Sequence, residues 1–507
     1  MRKLLRVLFS RYSACAVIIA TELSLFVSIL ILAESLGALI SVSALLSFLG
    51  AIHLVNRDSN PEYKIPWLAA ILIFPYVGVT LYALFFSRRV TKKEIRLGRE
   101  ILSFLPKPDG WREVLSTLRD EGTAAYGMVR AIMHDDINAA VFSDTRSLYF
   151  PSGEEYYAHL LLDLATASEY IYLEFFIIEE GKMWDGILDI LKEKAISGVD
   201  VRVLYDDIGC MKTLPRGYDK RLSSLGIKCK VFGKITPKIT TVHNNRDHRK
   251  IAVIDGRVAY TGGVNIADEY IGEKIRFGHW KDGGIRVEGG AAFGFAGQFL
   301  AAWAYTARSL DLPTLSMPAY APEISDGGYY VPFCTGPYPL YDSPGKNLFL
   351  NIINQAREYV YVTTPYLIVD FDLTEALCCA AERGVDVRII TPGIADKKTV
   401  KIMTESSYPH LLKSGVGIFE YERGFLHEKL LISDDLYAVV GSINFDYRSL
   451  AHHFEDAIFI YKTPSVISMR DGFLRTQDLS KEEVGNERPR FFEWVLRIII
   501  KICAPLL

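Results

Sequence analysis

One eight-residue pattern occurs twice in this chain, and its spacing limits the fold more than any other feature. HRKIAVID at 248–255 and HEKLLISD at 427–434 both read His-x-Lys-x4-Asp, and each is followed six residues later by Gly-x-x-Asn, as GGVN at 262–265 and GSIN at 441–444. Every one of these positions is displaced by the same 179 residues that separate His248 from His427. A single copy arises by chance in roughly a few per cent of chains this long and says little. Two copies in register mark a duplication. The surrounding sequence repeats as well. A strand at EYIYLEFFII (169–178), a helix over Trp184–Ser197 and a buried strand at GVDVRVLYD (198–206) recur in the same order as EYVYVTTPYL (358–367), Asp372–Arg383 and GVDVRIITP (384–392). Strands alternating with helices in two copies predict an α/β protein of two duplicated halves, 141–315 and 316–480, sharing one site.

The residue types in the repeat point to an anion. Side chains alternate along a strand, so His248 and Lys250 share a face, as do His427 and Lys429, while Asp255 and Asp434 point the other way. The glycine of each Gly-x-x-Asn lets backbone approach a ligand, and Asn265 and Asn444 supply amide donors for substrate binding. Two His, two Lys and two Asn around a pseudo-two-fold axis suit a phosphate. A neutral His can attack phosphorus while a protonated one gives its hydrogen to the departing alkoxide, with the lysines and asparagines stabilising the equatorial oxygens. His248, Lys250, Asp255, His427, Lys429 and Asp434 are therefore the candidate catalytic set, the two aspartates having the more structural character. No metal or other cofactor is expected, because two lysines supply the charge and no carboxylate cluster suggests an ion. A reactive His needs an acceptor on its second ring nitrogen. Aligning EDAIFIY (455–461) with KDGGIRVEG (281–289) pairs Glu455 with Asp282 at an offset of 173, and these are the candidate orienting carboxylates.

The front of the chain has a different character. Half of the 507 residues are hydrophobic and mean hydropathy is +0.16, high for a soluble enzyme. The excess lies in three runs, Ala14–Ala33, Leu36–Val55 and Trp67–Phe86, each long enough to cross a bilayer. Residues 1–90 are expected to be transmembrane, 91–140 a juxtamembrane linker, and 481–507 an apolar tail that lies at an interface or against the catalytic domain. Basic residues flank the apolar region on both sides, Arg2 to Arg11 before it and Arg88 to Arg99 after it, so three full crossings conflict with the positive-inside rule. Net charge is only −3, from 57 basic and 60 acidic residues, which argues against a general nucleic-acid binder. Seven cysteines without paired spacing argue against a disulfide framework or a zinc site.

Two HxKx4D motifs with trailing GGVN and GSIN resemble the signature of the phospholipase D superfamily. Within it the chain is similar to bacterial cardiolipin synthases, through PWLAAILIFPYVGVTLYALF (66–85), QAREYVYVTTPYL (355–367), GSINFDYRSL (441–450), HFE (453–455) and the terminal APLL. The resemblance implies two α/β halves with mixed sheets around one active site, and transfer of a phosphatidyl group between two phosphatidylglycerol molecules to give cardiolipin and glycerol. It implies His248 as nucleophile and His427 as acid and then base, an assignment the duplication alone leaves symmetric. A multi-pass protein of the bacterial cell membrane follows, with its catalytic part in the cytoplasm, phospholipids as partners and no nucleic acid. A hydrolytic phospholipase D, and more remotely a superfamily nuclease, share the same residues. Three other features have ordinary readings: Asp206 with Asp207 and His452 with His453 lack further metal ligands at suitable spacing, and EGGAAFGFAG (288–297) suits close helix packing.

Overall fold

Strand β5 (Lys250–Ile254) shows how the duplicated motif builds its half. Ile251 and Val253 point into one core while Ala252 and Ile254 point into another, so the strand is buried on both faces. Each such fully buried aliphatic side chain contributes roughly 1.5–3 kcal/mol. The computed structural model describes residues 37–485, apart from 58–59, 84–91, 105–107, 109, 134–138, 236–244, 319, 321–323 and 338–343, with a few positions beyond these ends. It forms two compact units, one of Met1–Arg89, Thr236–Asn244 and Trp494–Leu507, the other of Val90–Ile235 with Asn245–Glu493.

In the larger unit the first half contributes β1 (Thr145–Phe150), β2 (Tyr170–Phe175), β3 (Asp200–Asp206), β4 (Lys228–Phe232), β5, β6 (Val258–Gly262), β7 (His279–Lys281) and β8 (Gly284–Gly289). The second half contributes β9 (Tyr329–Thr335), β10 (Tyr359–Thr363), β11 (Asp386–Pro392), β12 (Gly417–Tyr421), β13 (Gly424–Leu426), β14 (Leu430–Ser433), β15 (Tyr437–Gly441), β16 (Glu455–Tyr461) and β17 (Ser480–Glu482). The first sheet runs β1-β8-β6-β5-β2-β3-β4, and the second repeats that order as β9-β16-β15-β14-β10-β11-β12 with β17 added at the edge. Both are mixed. β2 and β3 pair parallel, as do β10 and β11, whereas β5 and β14 enter antiparallel. Alternate residues of the two sheets meet in one shared core, filled further by the helices Gly290–Ala307 and Pro464–Gln477. The Gly-rich start of the first of these sits close to β9, where a Cβ on Gly294 would lie 2.6 Å from Pro332. The opposite face of the first sheet is covered by helices of its own half, and that of the second by its own helices together with the helices Trp111–Asp120 and Ala124–Ile132.

Each motif aspartate closes a hairpin. Asp255 and Asp434 adopt left-handed φ of 52° and 56°, a conformation Asp tolerates better than most residues. From there the Asp255 carboxylate accepts the backbone N–H groups of Ser168, Glu169 and Tyr170, each at 2.8 Å, and the Ser168 hydroxyl at 2.9 Å. Asp434 does the same for Arg357, Glu358 and Tyr359. Both aspartates, placed in the catalytic set by their motif, are thus spent on holding the start of a parallel strand, at the end of their strand away from the histidines.

The segment read as a linker is folded. Lys92–Phe104, Trp111–Asp120 and Ala124–Ile132 are helices, and Ile101, Trp111, Leu118 and Met128 are buried. In the smaller unit the run Leu36–Val55 is helical over Gly37–Val55. The third apolar run, read as one span, is broken. Phe74 has φ −129° and ψ 76°, outside the helical region as expected before Pro75, and separates the thirteen-residue helix Pro61–Ile73 from the seven-residue helix Pro75–Leu81. The two fold against each other so closely that a Cβ on Gly78 would sit 2.3 Å from the Ala70 carbonyl oxygen. Among the described residues no helix is long and apolar enough to cross a membrane. The run Ala14–Ala33 and most of the tail 481–507 lie outside the described residues.

Asp255→Ala is expected to lower unfolding stability by about 2–3 kcal/mol, the scale for removing buried hydrogen bonds to a charged group. Thermal or urea unfolding of the purified protein checks this; an unchanged midpoint would contradict the capping role.

Candidate active site

The two halves are joined at the start of β5 and β14, where backbone pairing crosses from one half to the other. β7 runs parallel to β13, setting Lys281 beside Leu426, and an equivalent bridge sets Asp247 beside Phe454. The His427 N–H donates to the Lys281 carbonyl at 2.7 Å, and the His248 N–H donates to the Phe454 carbonyl at 2.8 Å. Each histidine is therefore held next to the residue that follows its backbone partner. That residue is a carboxylate: His248 Nδ1 lies 2.8 Å from Glu455 Oε2, and His427 Nδ1 lies 2.7 Å from Asp282 Oδ2. Both orienting residues expected from the sequence sit beside a histidine, and each belongs to the opposite half.

Further residues fix this arrangement. Arg246 binds Asp206 Oδ1 through Nε and Nη2 at 3.0 and 2.7 Å, while Asp206 Oδ2 accepts the Asp247 N–H, so Asp206 anchors the approach to His248. The Asp456 carboxylate accepts the Lys250 N–H at 2.9 Å and the Thr261 hydroxyl. The glycines of the Gly-x-x-Asn turns serve packing between strands more directly than ligand approach. A Cβ on Gly262 would meet Gly283 and Gly284, one on Gly441 would meet Asp456 and Ala457, and one on Gly263 would run into the Asp282 carboxylate. Ser442 occupies the position matching Gly263, and its hydroxyl donates to Glu455 Oε2 at 2.5 Å.

The lysines lie inward with the histidines. Lys250 Nζ donates to the His248 carbonyl at 2.5 Å, and Lys429 Nζ contacts the His427 carbonyl. Asn265 accepts from the Ile177 N–H at 3.1 Å and donates to the Tyr270 hydroxyl at 2.8 Å, which leaves one amide hydrogen. Asn444 donates to Asp446 at 3.4 Å, and its Oδ1 has no hydrogen-bond partner among the described residues. Aromatic rings wall both histidines, Phe176 beside His248 at 5.0 Å and Tyr270, Trp280 and Phe425 beside His427 at 5.6, 5.6 and 5.8 Å between centroids. Sequence reasoning passed over Ser442, Trp280 and Tyr270 and gave His453 an ordinary reading; extending the repeat alignment outward from the motifs sets Ser442 opposite Gly263 and His453 opposite Trp280, without showing what either touches.

Burial sets the protonation states. It pushes His248 down to about 3, against the pull of Glu455, and carries His427 well below its ordinary value with help from Lys429. Both imidazoles are neutral near pH 7. With Nδ1–H directed at an ionised carboxylate, Nε2 keeps its lone pair. Burial would raise Glu455, but His248 and then His453 outweigh it and hold the carboxyl below its usual range. Asp282 goes the other way, raised by burial to about 6 despite Lys429. Desolvation lowers Lys250 to about 8 and Lys429 to about 7. The site as it stands disfavours its own positive charge and is suited to an anion that restores it. His248, His453 and Glu455 bring ligand-capable atoms within 4.8 Å of one another, a proximity that the sequence spacing of His452 and His453 did not reveal. Two of those groups, His248 and Glu455, are already hydrogen-bonded to each other.

The sequence profile described as "Cardiolipin synthase, PLD-like domain" matches twice, over residues 160–274 and 349–476, and a "Phospholipase_D-nuclease N-terminal" profile matches residues 45–85. A cardiolipin synthase of Halalkalibacterium halodurans is 33% identical over 467 residues, covering 91% of this chain and 92% of that one. This chain belongs to the cardiolipin synthase family of the phospholipase D superfamily. A protein of Streptococcus mutans with no described function is 39% identical over 90% of this chain and 99% of its own. Among solved structures, a phosphatidylserine synthase of Haemophilus influenzae shares the fold, with a TM-score of 0.53 and 14% identity over 75% of this chain and 98% of that one. The two profile matches fall on the two halves, in agreement with the duplication read from the motifs.

An anion in this site is expected to bind the lysines in their protonated form. Above pH 7 to 8 the free site has lost those protons, so binding must take them up and affinity falls as pH rises. Calorimetric titration with a non-hydrolysable phosphonate analogue of a phosphodiester, in buffers of different ionisation enthalpy at pH 8, is expected to show uptake of about one proton per anion. Binding without uptake would contradict these lysine assignments.

Proposed function

We propose that this family member is a cardiolipin synthase that moves a phosphatidyl group from one phosphatidylglycerol to a second, releasing glycerol through a phosphohistidine intermediate. The observation that carries the reading is the pair of crossed histidine–carboxylate contacts, which puts two imidazoles with different partners into one lysine-lined, buried site. His248 Nε2 attacks phosphorus as the P–O bond to glycerol breaks, and the positive charge gained by the imidazole is balanced by Glu455. His427, neutral in the protein alone, takes up a proton at Nε2 when the phosphodiester anion enters and gives that hydrogen to the departing alkoxide. The higher Asp282 supports that role, because the His427–Asp282 pair retains a proton more readily than the His248–Glu455 pair. In the second step His427 takes the proton of the incoming glycerol hydroxyl, which attacks phosphorus as the P–N bond breaks. Lys250, Lys429 and the free amide hydrogens of Asn265 and Asn444 stabilise the equatorial oxygens.

The N-terminal apolar region fits membrane attachment of a multi-pass protein, with the larger unit working at the bilayer surface on the cytoplasmic side. Lipid hydroxyl is abundant there and water scarce, which favours transfer over hydrolysis.

Purified protein given phosphatidylglycerol with a chelator present is expected to yield cardiolipin and glycerol. Phosphatidic acid as the only product would replace the synthase with a hydrolase, and complete loss of activity with chelator would require a metal. His248→Ala and His427→Ala are each expected to lower that activity by at least ~10²-fold, the low end for losing acid–base or nucleophilic chemistry. Near-normal turnover in either variant would remove that histidine from the mechanism.

A further inference from the structure

The pseudo-two-fold repeat is imperfect at one place beside the histidines. At the offset of 173 that relates Asp282 to Glu455, Trp280 corresponds to His453. Trp280 stands 5.6 Å from the His427 ring, and His453 stands 5.5 Å from the His248 ring, so the two residues occupy matching places. An indole can only donate and never titrates, whereas an imidazole can both donate and carry charge. The contacts of the two carboxylates differ accordingly. Asp282 Oδ2 takes His427 and Oδ1 takes the Gly283 N–H at 2.8 Å, which leaves both oxygens engaged. Glu455 Oε2 takes His248 and Ser442, but among the described residues the buried Oε1 has no hydrogen-bond partner. Facing it at 3.6 Å is His453 Nδ1, also buried and also without one. Two buried polar atoms of complementary type, just beyond hydrogen-bond reach, are costly unless something draws them together.

We propose that His453 is a positioning residue for the nucleophile: its Nδ1–H closes onto Glu455 Oε1 when His248 takes on charge. This rests on the phosphohistidine reading and deepens it, since it gives a structural reason for the two equivalent histidines to differ. As the His248 Nε2 lone pair forms the P–N bond, the ring becomes an imidazolium whose Nδ1–H needs a fully ionised acceptor. A donor on the second carboxylate oxygen keeps that acceptor ionised and fixed. The charged groups that act on the pair are Lys250, Lys429 and Asp446, and none of these makes a hydrogen bond to Oε1. Among the described residues the His427 side has Trp280 in place of a second imidazole, in keeping with its task of releasing a proton.

The test uses a phosphatidyl ester of p-nitrophenol with the full-length protein in mixed micelles and chelator. Nitrophenolate leaves without a proton, so its first-turnover burst reports P–N bond formation alone. Wild type and His427→Ala are expected to show the burst and His248→Ala to lose it. His453→Phe should slow the burst about tenfold, the low end for losing a hydrogen bond to a charged group. His453→Asn, whose amide N–H can take the place of Nδ1–H, should restore most of the rate. An unchanged burst in His453→Phe, or equal slowing in the Phe and Asn variants, would overturn the His453 role while leaving the phosphohistidine standing. Absence of a burst in wild type would instead overturn the phosphohistidine reading and the His453 role with it.

Discussion

Two hydrogen bonds of 2.7 and 2.8 Å across the seam between the halves are the constraint on which the rest of this structure depends. Each ties a buried imidazole of one half to a buried carboxylate of the other. Neither half completes a site by itself, since it holds one histidine and the other histidine's acceptor. The sheets, the shared core and the parallel pairing of β7 with β13 all act to keep that seam in register.

The seam is also where charge is buried most heavily. Lys250, Lys429, Asp282, Glu455 and Asp456 all lie inside, and Arg249, between His248 and Lys250, pairs with Glu174 and Asp247 under the surface. The second half places Glu428 at the position of Arg249, with Tyr149 donating to it at 2.5 Å and Lys281 3.3 Å away. Ions this deep are stable only when paired and hydrogen-bonded, so breaking one partnership leaves an uncompensated charge. The depressed lysines show that the compensation within the protein is incomplete, and in the proposed reaction the phosphodiester anion supplies the rest.

Much of this was legible in the sequence. The fixed offset of 179 revealed the duplication, and the apolar runs around GVDVR correspond to β2, β3, β10 and β11. Glu455 and Asp282 were found by alignment, but not the crossing, because an alignment of repeats pairs each carboxylate with its counterpart and is silent on which histidine it touches. Trp280 and His453 differ in type, so a search for repeated residues passes over them. The aspartates of the motif, grouped with the catalytic set but read as the more structural members, are caps with left-handed φ, whereas the glycines read as ligand approach when neighbouring strands need the space. Hydropathy counts apolar residues along Trp67–Phe86 but does not see that Pro75 ends the preceding helix and that Gly78 lets the next one fold back.

The crossing can be tested without reference to turnover. In protein with ¹⁵N-labelled histidine, the Nδ1–H of His248 should give a strongly deshielded proton resonance that is lost in Glu455→Gln and kept in Asp282→Asn, with the reverse for His427. Loss of the His248 resonance in Asp282→Asn, or its survival in Glu455→Gln, would contradict a site assembled by exchange of carboxylates between the two halves.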